Sequence, residues 1–109
     1  MTRFEVIILP AAARDIDNAY TWISEQNADA AARWYNRLME VIFSLDTFPE
    51  RCPLAPESKS FKQEIREIFH GRRQHKYRIL FTVSENEVHV LHVRHGARLA
   101  LGETESAGE

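Results

Sequence analysis

Basic and titratable residues are concentrated in one part of the 109-residue chain. Residues 59–98 contain nine lysines and arginines and four acidic residues, which gives a net charge of +5. Residues 1–58 carry −4 and residues 99–109 carry −3. Such a density of cationic groups is typical of a surface that meets an anion, nucleic acid above all. A solvated basic face of a sheet is the alternative, and composition leaves both open.

All five histidines also lie in this block. Because histidine titrates near neutral pH, His92 and His95 are the candidates for proton transfer. Residues three apart in a strand point to opposite faces, so neither His92 with His95 nor His89 with His92 is expected to share a metal ion. His70 and His75 flank a loop without a carboxylate or cysteine nearby in sequence. No metal and no cofactor is predicted.

The first half of the chain predicts a strand and two helices that would support these groups. An apolar, β-branched strand covers residues 4–9 and stops at Pro10. One amphipathic helix runs from Ala11 to about residue 25, and a second, capped by Asn27 or Asp29, closes at Pro49. The helical spacing predicts core positions at Ile16, Ala19, Tyr20 and Ile23, then at Ala31, Tyr35, Leu38, Ile42 and Leu45. Trp22 and Trp34 are also predicted to be core residues.

The second half predicts three strands, at residues 64–69, 77–83 and 88–94, with a basic loop at 70–75. Strict alternation would place Tyr77 and Phe81 on one face and Arg78 on the other. In the last strand it would place Val88, Val90 and His92 opposite His89, Leu91 and Val93. The fold predicted is α+β, in the order β-α-α-β-β-β. An antiparallel helix hairpin packs on one face of a mainly antiparallel four-stranded sheet, and the other face is free. Whether the first strand pairs parallel is left open.

Length and composition limit the classes of protein to which this chain can belong. We expect one domain over residues 1–98 and a flexible acidic tail over 99–109. No apolar run approaches the ~20 residues that span a bilayer, so no membrane partner is expected. The single cysteine, Cys52, excludes an internal disulfide and is predicted to fill space in the core. A cytoplasmic location is therefore expected.

Six segments, in order, resemble the RelE/ParE toxin superfamily over residues 4–98. They are the helix start at 12–20, the alanine-rich second helix, and the segments FPERCP at 48–53, IREI at 65–68, YRILFTV at 77–83 and VHVLHVRHGAR at 88–98. The resemblance implies the toxin of a bacterial type II toxin–antitoxin pair, of the kind once described as plasmid stabilisation proteins. It also implies a cognate antitoxin as partner, with operator DNA bound only through the toxin–antitoxin complex.

The resemblance leaves the target open. The long helical hairpin looks more like ParE, whose relatives poison DNA gyrase. RelE-like relatives instead cut mRNA on the ribosome, as metal-independent endoribonucleases. Such enzymes often have a tyrosine after the final arginine and a lysine pair near residues 65–69, and neither is present here. A non-toxic binding or co-repressor relative is a second alternative, so whether the protein is an enzyme stays open.

The resemblance also implies site residues. Arg78 and Arg98 match positions at which RelE-like nucleases grip the scissile phosphate, a task that suits a permanently charged, forked guanidinium. With them, His92 and His95 are the catalytic candidates. The candidates for binding nucleic acid or another target are Arg66, Arg72, Arg73, Lys76 and Arg94.

Overall fold

The computed structural model describes residues 3–71 and 76–96. The elements follow the order β1 (Glu5–Ile8), α1 (Pro10–Gln26), α2 (Ala28–Phe43), β2 (Arg66–His70), β3 (Tyr77–Val83) and β4 (Glu87–His95). This confirms the predicted β-α-α-β-β-β order. None of the helices in this part of the chain combines the length and the apolar character needed to cross a bilayer.

The two helices begin where the sequence indicates. Pro10 occupies the first turn of α1, where its missing N–H costs no hydrogen bond. Asn27 is the N-cap of α2, because its side-chain oxygen accepts a hydrogen bond from the Ala30 amide at 2.9 Å. Since one residue separates the helices, they pack side by side as the expected hairpin.

The four strands form one mixed sheet in the order β1-β4-β3-β2. β3 pairs antiparallel with both β2 and β4, whereas β1 pairs parallel with β4. The first strand therefore lies beside the last, and the open question of its direction is answered. β1 ends at Ile8 while β4 continues to His95, so the outer part of β4 extends beyond its partner.

The main core lies between the helices and one face of the sheet. Ile16, Leu38 and Ile42 from the helices meet Ile79 and Phe81 from β3. Trp34 belongs to this core, and its ring contacts that of Tyr77 at 5.1 Å. The prediction was wrong for Trp22, which is 47% exposed, and for Tyr20 and Tyr35, whose rings pack on each other at the surface. The buried stripe of each helix is narrower than the spacing suggested.

The opposite face of the sheet is not free, contrary to expectation. The segment between α2 and β2 contains three short 3₁₀ turns, at Ser44–Asp46, Pro49–Arg51 and Pro56–Ser60. It returns to pair with the start of β2 through the Ala55 amide and the Ile65 carbonyl at 2.7 Å. A second, small core of Ala55, Ile65 and Leu80 forms there. The proline-rich segment therefore covers part of the face that was expected to be exposed.

An irregularity in β4 changes which side chains share a face. The register shifts between Leu80, which pairs with His92, and Phe81, which pairs with Val90. Leu91 is the extra residue, and beyond it the alternation is reversed. Val93 therefore enters the main core, and His89 and His92 lie on the same face of the sheet. The prediction that those two histidines lie on opposite faces was wrong.

Candidate functional site

Three predicted residues lie at one end of the sheet, which we term the cationic end: Lys76, Arg94 and His95. The Gly96 amide donates to the Lys76 carbonyl at 2.7 Å, which joins the start of β3 to the end of β4. The His95 ring contacts that of Tyr77 at 5.2 Å on the helix side, while Arg94 pairs with Arg78 and faces the other side. Lys76 is exposed and lies 4.6 Å from the centre of the Phe69 ring.

Arg78 lies behind this end and is only 8% exposed. Its guanidinium donates to a Glu57 carboxylate oxygen at 2.7 Å and to a Glu67 carboxylate oxygen at 3.0 and 3.1 Å. The Glu57 side chain is completely buried. A guanidinium fixed by two carboxylates already has anionic partners, so this geometry ties the short 3₁₀ turn at Pro56–Ser60 to the sheet.

Arg66 and Arg78 do not share a face. Arg66 pairs with Phe81, on the helix side, whereas Arg78 pairs with Phe69 on the other side. The Arg66 guanidinium donates to the Cys52 carbonyl at 2.6 Å and lies 3.4 Å from a Glu64 carboxylate oxygen. Arg66 and Arg78 therefore do not form part of one surface.

His92 is held by a residue of α1. Its Nδ1 lies 3.0 Å from an Asp15 carboxylate oxygen, and the same oxygen accepts a hydrogen bond from the Val93 amide at 3.0 Å. Asp15 reaches this edge of β4 because β1 has already ended there. A carboxylate on Nδ1 fixes the orientation of the imidazole and leaves Nε2 to exchange a proton. His95 lies on the opposite face, as predicted, because the irregularity in β4 precedes both residues.

Burial shifts the pKa values of two further titratable groups, His70 and Cys52. Burial lowers the pKa of His70, with a smaller contribution from the charge of Arg37, whereas the hydrogen bond from Nε2 to the Trp34 carbonyl opposes the shift. Cys52 is buried, and burial raises the pKa of its thiol. Its predicted role as a space-filling core residue is confirmed by its place in the main core.

A family model for the "ParE toxin of type II toxin-antitoxin system, parDE" matches residues 6–100. The chain belongs to the ParE toxin family. A solved structure described as a chromosomal ParDE TA system from P. aeruginosa has the same fold, with a TM-score of 0.67 and 16% sequence identity. That alignment covers 85% of this chain and 96% of the other. No match was found among curated proteins.

In this ParE family member, three predicted residues, Arg72, Arg73 and Arg98, lie outside the described residues. Their predicted roles stay predictions. The same holds for the predicted acidic tail at 99–109. Within residues 3–71 and 76–96, no three His, Cys, Asp or Glu side chains are grouped so that they could hold a metal ion.

The acidic partners of the predicted residues in this ParE family member are not evident from the sequence. Glu57 and Glu67 lie 21 and 11 residues from Arg78, and Asp15 lies 77 residues from His92. Glu67 could have been predicted as a partner of Arg78. It lies two positions before Phe69 in β2 and therefore on the same face, and Phe69 pairs with Arg78. Glu57 and Asp15 lie in a 3₁₀ turn and a helix, and no periodicity connects them to the sheet.

Proposed function

We propose that this protein is the growth-inhibiting component of a type II toxin–antitoxin pair, that it poisons DNA gyrase, and that a cognate antitoxin neutralises it. The observation that carries the proposal is the match of the ParE toxin model to residues 6–100. Gyrase is the target associated with the ParE branch of the superfamily. The antitoxin follows from the two-component organisation of such modules.

The side chains give a second line of support for the gyrase branch. A RelE-type cleavage site needs arginines that meet a phosphate. Arg78 already binds two carboxylates, and Arg66 lies on the other face of the sheet. In this proposal the cationic end, formed by Lys76, Arg94 and His95, contacts the target.

The test is a supercoiling assay with purified gyrase and purified protein. We expect the wild-type protein to block supercoiling and to accumulate cleaved DNA, and we expect Lys76→Glu to lose most of this effect. Lys59→Glu is the matched control, because it makes the same change of charge at an exposed lysine that is not part of the cationic end. Unaltered supercoiling with folded wild-type protein would remove gyrase as the target.

Growth after induction tests the toxin role itself. Expression from a tight promoter should arrest growth, and co-expression of the antitoxin should restore it. Harmless induction of folded protein would favour the non-toxic binding or co-repressor relative.

One observation favours mRNA cleavage as a second candidate. Asp15 fixes His92 through Nδ1, which suits a histidine that takes a proton from an attacking hydroxyl. In a translation reaction, a nuclease would produce new mRNA ends, and His92→Gln would abolish them. No new ends with wild-type protein would eliminate this branch.

A further inference from the structure

A groove of about 570 Å³ opens beside His92, between the start of α1 and the chain that leads into β2. Leu9, Pro10 and Ala11 form one wall. Residues 61–63 and Ile65 form the other, and Thr82 and Leu91 line the groove from β3 and β4. This volume is in the range of sites that take a small ligand or one or two side chains of a partner.

The groove is built from parts that are held in place independently. On one side, Asp15 fastens α1 to the edge of β4 through His92 and the Val93 amide. On the other side, the buried Glu57–Arg78 salt bridge anchors the turn that precedes Phe61. Both walls therefore adjoin segments that are anchored to the sheet, which limits the ordering that binding a partner requires.

The lining has an apolar floor and a positive rim. Leu9, Ile65 and Leu91 supply the aliphatic surface, while Lys62 is exposed and cationic. Among the described residues that line the groove, none carries a carboxylate. Asp15 stands beside the groove, but its carboxylate already accepts two hydrogen bonds. The first turn of α1 contains no acidic residue, so its partial positive charge adds to the rim.

These features favour a peptide over a nucleic acid. Nucleic-acid grooves combine several fixed cations with aromatic platforms on which bases stack. Here the described lining contains one fixed cation, Lys62, one aromatic ring, Phe61, and a mainly aliphatic floor. A peptide that carries a short apolar side chain next to an acidic one matches this combination. The apolar side chain is buried on the floor of the groove while the carboxylate reaches Lys62.

We infer that this groove binds an acidic peptide segment of a protein partner, with one apolar side chain on the floor and a neighbouring carboxylate at Lys62 and His92. The inference rests on the proposed function only in expecting a protein partner. It adds a recognition site that is separate from the cationic end.

The test is NMR titration of the ¹⁵N-labelled full chain with a capped pentapeptide in which leucines alternate with acidic residues. Its amide analogue, with asparagine and glutamine in place of the acids, is the peptide control. We expect the acidic peptide to shift the amide signals of Ala11, Gln63, Leu91 and His92. The amide analogue should bind about fivefold more weakly, as expected for the loss of a partly exposed ion pair.

Two charge reversals give the decisive comparison on the protein side. Lys62→Glu should weaken the acidic peptide about fivefold, whereas Lys59→Glu should change its affinity less than about twofold. Both lysines are exposed, and only Lys62 lines the groove. Equal weakening by both variants would show that net charge alone attracts the peptide, and would overturn the inference.

Three other results would overturn it as well. One is a shift map centred away from the groove. Another is the absence of any shift at about 5 mM peptide, which exceeds the Kd of millimolar contacts. The third is displacement of the peptide by penta-uridylate at lower concentration. This experiment measures neither gyrase activity nor growth. Peptide binding can therefore be disproved while the proposed toxin function holds, and the toxin function can be disproved while peptide binding holds.

Discussion

Arg78 and Glu57 form a 2.7 Å salt bridge on the face of the sheet opposite the helices. The side chain of Glu57 is fully buried and that of Arg78 nearly so. A residue predicted to meet a substrate phosphate thus joins a covering segment to the sheet. The contact makes the stability of the fold depend on a pair of charges, and this dependence can be measured.

Removing the carboxylate at Glu57 should destabilise the protein strongly. Glu57→Ala leaves the buried Arg78 with Glu67 alone, and we expect a loss of about 3 kcal/mol in the free energy of unfolding. Urea denaturation followed by circular dichroism measures it. Glu64→Ala, which removes a pair whose carboxylate is 70% exposed, should change stability by less than about 0.5 kcal/mol. Similar losses in the two variants would contradict a structural role for the buried pair.

The contact of Asp15 with β4 should contribute to stability too. Asp15→Ala removes the acceptor of the Val93 amide and the partner of His92, and we expect a loss of about 1–3 kcal/mol. Asp17→Ala is the control, since this exposed residue lies on the same helix. Asp15→Asn should restore part of the loss, because an amide oxygen can still accept from Val93. Hydrogen exchange at the Val93 amide gives a local readout, and unchanged protection in Asp15→Ala would refute the role.

Acidification should destabilise the fold, because protonation of His70 disfavours the folded state. Because the pKa of His70 is lowered from its ordinary value of 6.5 by burial, the unfolded chain binds the proton more readily than the folded chain. This contribution is therefore complete above pH 6.5 and is lost as the pH falls toward the lower, folded pKa. Urea midpoints between pH 7.5 and 5 measure the slope.

Replacing His70 isolates its contribution to the pH dependence of stability. His70→Gln should flatten the slope below pH 6.5, because the side chain that takes up the proton on unfolding is then absent. An identical slope in wild type and His70→Gln would mean that other groups dominate the acid response.

The cap of α2 should be worth about 1 kcal/mol. Asn27→Ala removes the acceptor of the Ala30 amide and is expected to lower the free energy of unfolding by that amount. Asn27→Asp keeps the acceptor and should be nearly neutral. Thermal or urea unfolding distinguishes the two, and equal stability of all three proteins would show that the cap is replaced by water.

Local patterns were enough to predict the elements but not all of their faces. The strand at 77–83 and both helices follow from periodicity, since one face of each is buried in a continuous core. The extra residue at Leu91 leaves no mark in composition, yet it reverses the faces of His92 and Val93. Trp22 shows a second limit, because a large apolar side chain at near-core spacing can still lie at the surface.

The site was harder to predict than the fold. The concentration of charge in residues 59–98 was evident, but charge counts do not reveal which cations are already paired. Arg78 and Glu57 meet because a 3₁₀ turn returns over the sheet, a path set by tertiary packing. Arg94 pairs with Arg78, on the face to which Lys76 also belongs, only because the extra residue at Leu91 reverses the alternation of β4, and strict alternation does not predict this.

The parallel pairing of β1 with β4 has a consequence for how the protein is made. Glu5 pairs with Glu87, so the backbone hydrogen bonds between β1 and β4 can form only after β4 has been synthesised. Contacts so distant in sequence slow folding, and during translation the helices can form long before the sheet closes. A nascent chain stalled before residue 87 therefore cannot complete the sheet or form the end that carries Arg94 and His95.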